Sequence, residues 1–259
     1  MNWFHDLFIE EAKPALERHS GGGVPINNQD KTITQNGTYT ADEGFTGLGT
    51  VKVSVAREDQ TDIEDVLNGV IARSFSEILL NAPKIGNYTF TSYSNLTKAD
   101  FPAATIIGSY AFKSCANLTA VNFPVATNIY NSAFESCNSL TTVKFPAVTS
   151  IGNQAFYYCL KLTTADFPAV TSIGKSSFNA CSALTTLILR SETMCTKPGT
   201  SAFESTPIKS GTGYIYVPRA LVDSYKAASG WSTYANQFRA LEDYTVDGTI
   251  TGELDSTKI

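Results

Sequence analysis

The chain has 259 residues, a formal charge of −5 and 17% charged side chains. Its 19 basic residues are scattered, which excludes the basic stripe that nucleic-acid binding requires. No run approaches the roughly 20 apolar residues that span a bilayer, and the start MNWFHDLFIEEAKPALERHS lacks the basic and apolar regions of a signal peptide.

In residues 2–19, Trp3, Phe4, Leu7 and Phe8 recur at helical spacing, with Leu16 less cleanly placed. Asp6, Glu10, Glu11, Lys13 and Glu17 fall largely elsewhere, so an amphipathic helix is predicted, kinked or restarted at Pro14. This helix either docks on the rest of the chain or serves as an assembly anchor through Trp3, Phe4, Leu7 and Phe8. Ser20-Gly21-Gly22-Gly23 is a flexible break that favours the second reading.

Residues 30–56 read as a small β unit. Lys31 to Thr34 and Gly37 to Thr40 are extended, Asn36-Gly37 is a turn signal, and Val51, Val53 and Val55 alternate with Lys52 and Ser54. Alone it is too small to be stable and must pack on a neighbour or another copy. Residues 61–73 form a predicted amphipathic helix, with Val66, Val70 and Ile63 placed to cover the open end of the adjoining repeat array.

That array is marked by its period. Leu96, Leu118, Leu140, Leu162 and Leu184 are 22 residues apart, and Phe101, Phe123, Phe145 and Phe167 keep the same interval, each before a proline. Ile107, Ile129, Ile151 and Ile173 come next, then Phe112, Phe134, Phe156 and Phe178, and finally Cys115, Cys137, Cys159 and Cys181. A fixed period in this range, with a strand-like opening, marks a leucine-rich-repeat solenoid. A degenerate unit precedes the first, with Leu79, Ile85 and Phe90 in place and Tyr93 at the cysteine position. After Leu184 the pattern loosens through Ala202-Phe203 to a last strand, Tyr214-Ile215-Tyr216-Val217. Residues 219–241 form a helix-rich cap with Leu221, Tyr225, Trp231, Tyr234, Phe238 and Leu241 on its apolar side, and residues 245–259 are a polar tail.

The predicted fold is therefore an α+β repeat: a stack of parallel strands with a 22-residue period, an N-terminal helix, a small β unit and helical caps. The division runs 1–23 for the helix and linker, 24–57 for the β unit, 58–244 for the capped solenoid and 245–259 for the tail.

Within a unit such as LTTVKFPAVTSIGNQAFYYC, Val143 and Phe145 point inward from the strand and Pro146 ends it. Neighbouring cysteines one strand spacing apart are poorly placed for disulfides, so their column is read as buried free thiols. Cys195 has no assigned role. Outside the core lie three strand columns. Thr97, Thr119, Thr141, Thr163 and Thr185 form one, and Lys98, Ala120, Thr142, Thr164 and Thr186 the next. Both are explained by strand stacking. The third, Asp100, Asn122, Lys144, Asp166 and Ile188, varies in charge and is the candidate ligand-binding face. Tyr110, Tyr130, Tyr157 and Tyr158 lie in the turn region, either as contact anchors or packed along the flank.

The sequence holds no nucleophile, phosphate-loop, dinucleotide or metal motif. His5, Asp6 and Glu10 read as solvated helix charges rather than metal ligands, and Asp100 and Asp166 are three units apart, too distant for a catalytic pair. No catalytic residue, metal or cofactor is predicted.

The unit LTTVKFPAVTSIGNQAFYYC resembles the BspA-like, or Treponema pallidum type, leucine-rich repeats over roughly residues 74–218, and YIYVPRALVDSYKAASGWSTYANQF resembles their C-terminal cap. That resemblance implies a non-enzymatic binding protein, since such proteins are mostly bacterial surface or secreted adhesins for host matrix proteins. Residues 33–55, ITQNGTYTADEGFTGLGTVKVSV, are similar to a module of phage and prophage tail proteins of Gram-positive bacteria. With no signal peptide read in the sequence, the expectation is a virion tail component. Its N-terminal segment would contact other tail proteins in a homo-oligomer or multi-copy assembly, and its solenoid would bind a host surface protein or glycan. A cell-surface adhesin and a purely structural virion decoration are the alternatives.

Overall fold

Every 22 residues the backbone returns to the same position one rung further along an axis, because only stacked neighbours can bury the apolar side chains of one unit. In the computed structural model the described chain comprises residues 76–78, 83–196 and 198–244, and the backbone of 79–80 and of short strands at Asp6–Phe8, Lys31–Ile33, Gln35–Gly37, Thr50–Val53, Thr245–Val246 and Thr249–Ile250.

Three walls enclose the core, each with its own ladder. On the first, Lys31–Ile33, Thr50–Val53, Glu77–Leu80, Lys98–Asp100 and Ala120–Asn122 pair in parallel. After an interruption, Thr142–Lys144, Thr164–Asp166, Thr186–Ile188, Tyr214–Val217 and Phe238–Ala240 continue it, also in parallel. The second wall is an unbroken parallel sheet of two-residue strands from Lys84–Ile85 to Ser172–Ile173. The third is a stack of turns. The N–H groups of Tyr110, Phe112 and Ser114 donate to the carbonyls of Asn131, Ala133 and Glu135 at 2.9, 2.7 and 2.7 Å, and the same triplet recurs on each rung. Its first and last residues have positive φ, as at Tyr88 (61°), Tyr110 (59°), Ser132 (54°), Gln154 (56°) and Ser176 (52°).

The core is two phenylalanine stacks. Phe90, Phe112, Phe134, Phe156, Phe178 and Phe203 lie ring over ring at 5.0–5.7 Å, within 13° of parallel. Phe101, Phe123, Phe145 and Phe167 form the second, at 5.1–6.0 Å. The solenoid and its inward pattern are as the period predicts: Val143 and Phe145 are buried, and Tyr93 is buried in the cysteine place.

The ends depart from the pattern expected of them. Asp6–Phe8 is a strand paired antiparallel with Gln35–Gly37, where a helix is predicted, and Asn36-Gly37 lies in a strand rather than a turn. Apolar residues spaced for a helix over so short a stretch do not exclude a strand once a distant partner supplies the hydrogen bonds. Most of the predicted segment 2–19 and the helix at 61–73 lie outside the described residues. The pairing of Thr50–Val53 with Glu77–Leu80 carries the ladder across residue 57, where the sequence divides a β unit from the solenoid. At the other end, Val222–Ala227 is helical as predicted, while Phe238–Ala240 forms the terminal strand of the first wall's ladder instead of a helical turn. Tyr225, Trp231, Tyr234 and Phe238 are buried against Phe203 and one another.

Candidate binding surface

Most polar columns of the solenoid are committed to the stack itself. The hydroxyls of Thr119, Thr163 and Thr185 donate to the carbonyls of Thr97, Thr141 and Thr163 at 2.9, 2.9 and 3.4 Å. A second threonine column, unnoticed in the sequence despite its period, does the same from Thr105 through Thr127, Thr149 and Thr171 to Thr196. Asparagines form a third: Oδ1 of Asn87, Asn131 and Asn153 accepts from the N–H of Ser109, Asn153 and Lys175 at 2.8–2.9 Å. The cysteine column is inside, and each thiol donates to the carbonyl of a phenylalanine 25 residues earlier at 2.9–3.1 Å. Burial pushes the Cys115 thiol up to about 12, with Cys137 and Cys159 raised well above the usual range for the same reason. All five cysteines are buried and unbridged. Cys195 belongs to the cap: its N–H donates to the Tyr225 hydroxyl at 2.7 Å, and Trp231 Nε1 donates to its carbonyl at 3.1 Å.

The variable strand column is only partly a surface. Asp100, Asn122 and Lys144 reach solvent, with Asn122 Nδ2 donating to Asp100 Oδ1 at 2.8 Å. Beside them Lys98 pairs with Glu77 at 2.7 Å. Asp166 and Ile188 are 4% and 2% exposed, which removes them from the predicted contact face. Arg190 covers Asp166 with a two-pronged bond, Nε to Oδ1 at 3.0 Å and Nη2 to Oδ2 at 2.8 Å. Tyr244, whose hydroxyl is raised by burial and then by the Asp166 carboxylate, approaches the same carboxylate from the C-terminal segment. This end of the face instead presents Tyr214 and Arg239, the guanidinium lying 4.4 Å from the ring centroid. Neither residue is in the predicted column, because both lie on cap strands beyond the last full repeat.

The turn wall carries the tyrosines. Tyr130 and Tyr158 are exposed, and Tyr110 and Tyr157 are half-buried. Tyr88, missed in the sequence because its unit is degenerate, is the most exposed at 53% and stacks on Tyr110 at 4.8 Å and 7°. Tyr88, Tyr110 and Tyr158 stand at positive φ, which costs a bulky residue about 1–2 kcal/mol. Other rungs place serine, glutamine or alanine there. The anchor residues Trp3 and Phe4 lie outside the described residues, and Leu7 and Phe8 are described only as backbone strand.

Among the described residues no group of three or more His, Cys, Asp or Glu is placed to hold a metal, and no helix is long and apolar enough to cross a membrane. What the geometry offers is a rigid, capped scaffold with fixed outward side chains.

Such a scaffold is a leucine-rich-repeat solenoid, a class that binds through its surface. The chain belongs to the BspA type leucine rich repeat family, whose model matches residues 72–125 and 105–214 in 6 copies. No curated protein matches the sequence. Among solved structures, the T. pallidum leucine rich repeat protein is 16% identical, with 73% of each chain covered and a TM-score of 0.45. A leucine-rich repeat protein from Bacteroides ovatus is 17% identical, covering 64% of this chain and 47% of that one, with a TM-score of 0.35. A leucine rich cell surface protein from Faecalibacterium prausnitzii is 17% identical, covering 71% and 65%, with a TM-score of 0.36.

Proposed function

We propose that this chain is a non-enzymatic binding protein of the bacterial cell-surface type, which presents the outward face of its strand wall to a macromolecular partner. The observation that carries this reading is the contrast between columns. The threonine, asparagine and cysteine columns repeat one bond to the neighbouring rung, whereas Asp100, Asn122 and Lys144 change residue type and charge from rung to rung while reaching solvent at least in part. A repeat-built backbone that is already ordered loses little main-chain entropy on binding. Family membership supports the surface assignment. The virion reading rests on residues 33–55 and on an N-terminal anchor that lies mostly outside the described residues, so the match over 72–214 favours the cell surface.

Two measurements test the proposal. Immunogold labelling of washed, phage-free producing cells is expected to decorate the envelope; label confined to particles released by lysis would overturn it in favour of the virion reading. In solid-phase binding to immobilised basement-membrane proteins, Asp100→Lys and Lys144→Glu are expected to weaken retention about tenfold together, with unchanged thermal unfolding. Undiminished retention would remove the strand face from the reading.

A further inference from the structure

Two of the three walls run unbroken through the middle of the solenoid, and the strand wall does not. Thr119 donates its N–H and its hydroxyl to the Thr97 carbonyl at 2.8 and 2.9 Å. Thr163 does the same to the Thr141 carbonyl, again at 2.8 and 2.9 Å. Between them Thr141 makes neither bond to Thr119, and the ladder ends at Ala120–Asn122 and restarts at Thr142–Lys144. Phe101, Phe145 and Phe167 each donate their N–H to the following rung at 2.9–3.0 Å, a bond that Phe123 does not make.

The same two units are joined firmly elsewhere. On the second wall Asn128–Ile129 pairs in parallel with Ser150–Ile151, and the Gly152 N–H donates to the Ile129 carbonyl at 2.7 Å. On the turn wall the N–H groups of Ser132, Phe134 and Ser136 donate to the carbonyls of Asn153, Ala155 and Tyr157 at 2.9, 2.7 and 2.7 Å.

The core carries the same one-sided opening. In the stack that follows the strands, Phe123 and Phe145 are 6.0 Å apart and inclined by 25°. The pair before them stands at 5.1 Å and 12°, and the pair after at 5.7 Å and 6°. In the stack beside the turn wall, Phe134 and Phe156 keep 5.3 Å and 8°. Val121 is half-buried at this rung, whereas Ala99, Val143, Ala165 and Leu187 of its column are buried.

We infer that the solenoid is two rigid stacks joined by a hinge between the unit of Leu118 and the unit of Leu140. The bonds kept on the second and turn walls set the axis, and rotation about it opens or closes the strand wall without breaking them. Units of a solenoid touch only their neighbours, so an interface bonded on two walls instead of three yields before those on either side. Asp100 and Asn122, joined by their side-chain bond at 2.8 Å, ride on one stack and Lys144 on the other. The motion therefore changes the spacing of charges along the strand face. The hinge exists whether or not that face binds a partner.

Two measurements on the full chain test it. In amide hydrogen exchange, Thr141 and Phe123 are expected to exchange about tenfold or more faster than Thr119, Thr163, Phe101 and Phe145, with Gly152 as protected as Gly174. Thr141 protected like Thr163 would mean the wall is closed, and Gly152 exchanging as fast as Thr141 would mean the units part on every side; either outcome overturns the hinge. Motion is read by spin-label distances. Lys98→Cys with Thr186→Cys spans four rungs of the strand wall, and Lys84→Cys with Ser172→Cys spans four rungs of the second wall, each roughly 19 Å. The five native thiols are buried, which leaves the introduced pair as the labelled one. The strand-wall distribution is expected to be about twice as broad as the second-wall one. Equal widths, or a broader second wall, would show a uniform rod and sink the proposal.

Discussion

The Cys137 thiol donates to the Phe112 carbonyl at 3.1 Å, and the Cys115 N–H donates to that same carbonyl at 3.1 Å. One carbonyl thus accepts from its own turn and from the next rung, which ties the turn wall to the phenylalanine stack. Cys137→Ala removes the second donor and leaves a small void where nothing is exposed. A loss of about 1–2 kcal/mol is expected in urea unfolding, and Cys137→Ala at wild-type stability would mean the thiol is only a spacer.

Burial also makes stability sensitive to alkali. The Cys115 and Cys195 thiols are each pushed up to about 12 by burial, whereas an unfolded thiol ionises near 9.0. Above about pH 9 the unfolded chain loses protons that the folded chain keeps, so it binds fewer protons and stability falls. The contribution is whole below pH 9 and disappears between about 9 and 12. Urea midpoints are expected to hold level through neutral and mildly alkaline buffers and then drop as the pH passes 9.0. A midpoint that rises across this range would contradict the burial of the column.

Ser177 occupies the place held by Ala111, Ala133 and Ala155 on other rungs, fully buried, and its hydroxyl oxygen has no hydrogen-bond partner. Ser177→Ala removes an uncompensated desolvation without opening a cavity. It is expected to raise stability by about 1 kcal/mol, seen as a higher urea midpoint at unchanged slope.

Asp166 is nearly buried and its charge is met by Arg190, whose side chain is itself only 17% exposed. Arg190→Ala leaves a carboxylate uncompensated and is expected to cost about 3 kcal/mol. Adding Asp166→Asn, the residue type of Asn122 in the same column, should restore much of the loss. If the double variant is no more stable than Arg190→Ala, the pair does not act as a unit.

Gly174 lies against the preceding rung, and a Cβ there would come within 2.5 Å of the Gly152 carbonyl carbon and 2.6 Å of the Asn153 nitrogen. Gly174→Ala should therefore force the rungs apart and cost about 1–3 kcal/mol, read by thermal unfolding. Tyr130 marks the one rung where the column already accepts a side chain, and Tyr130→Ala is expected to be near neutral for stability.

The period, the inward columns and the buried thiols can all be read from the amino-acid letters. In a solenoid each residue meets the residue one period away, so contacts that are distant along other chains appear here as vertical strips of letters. The threonine column from Thr97 to Thr185 is legible as structural for that reason, and the asparagine and second threonine columns are equally visible at the same spacing. Which outward positions are truly surface depends on the assembled chain. Asp166 and Ile188 share a column with Asp100 and Asn122 when the units are aligned, yet Arg190, which stands where the earlier units carry proline, and the cap segment at Tyr244 close over Asp166. The same holds for Asp6–Phe8, which is a strand because Gln35–Gly37 lies beside it, a pairing that no local pattern encodes. Tyr88 is likewise set on Tyr110 by the stacking of two rungs. Periodic contacts repeat in the letters, whereas the contacts that close the ends and shape the exposed face occur once and leave no period to read.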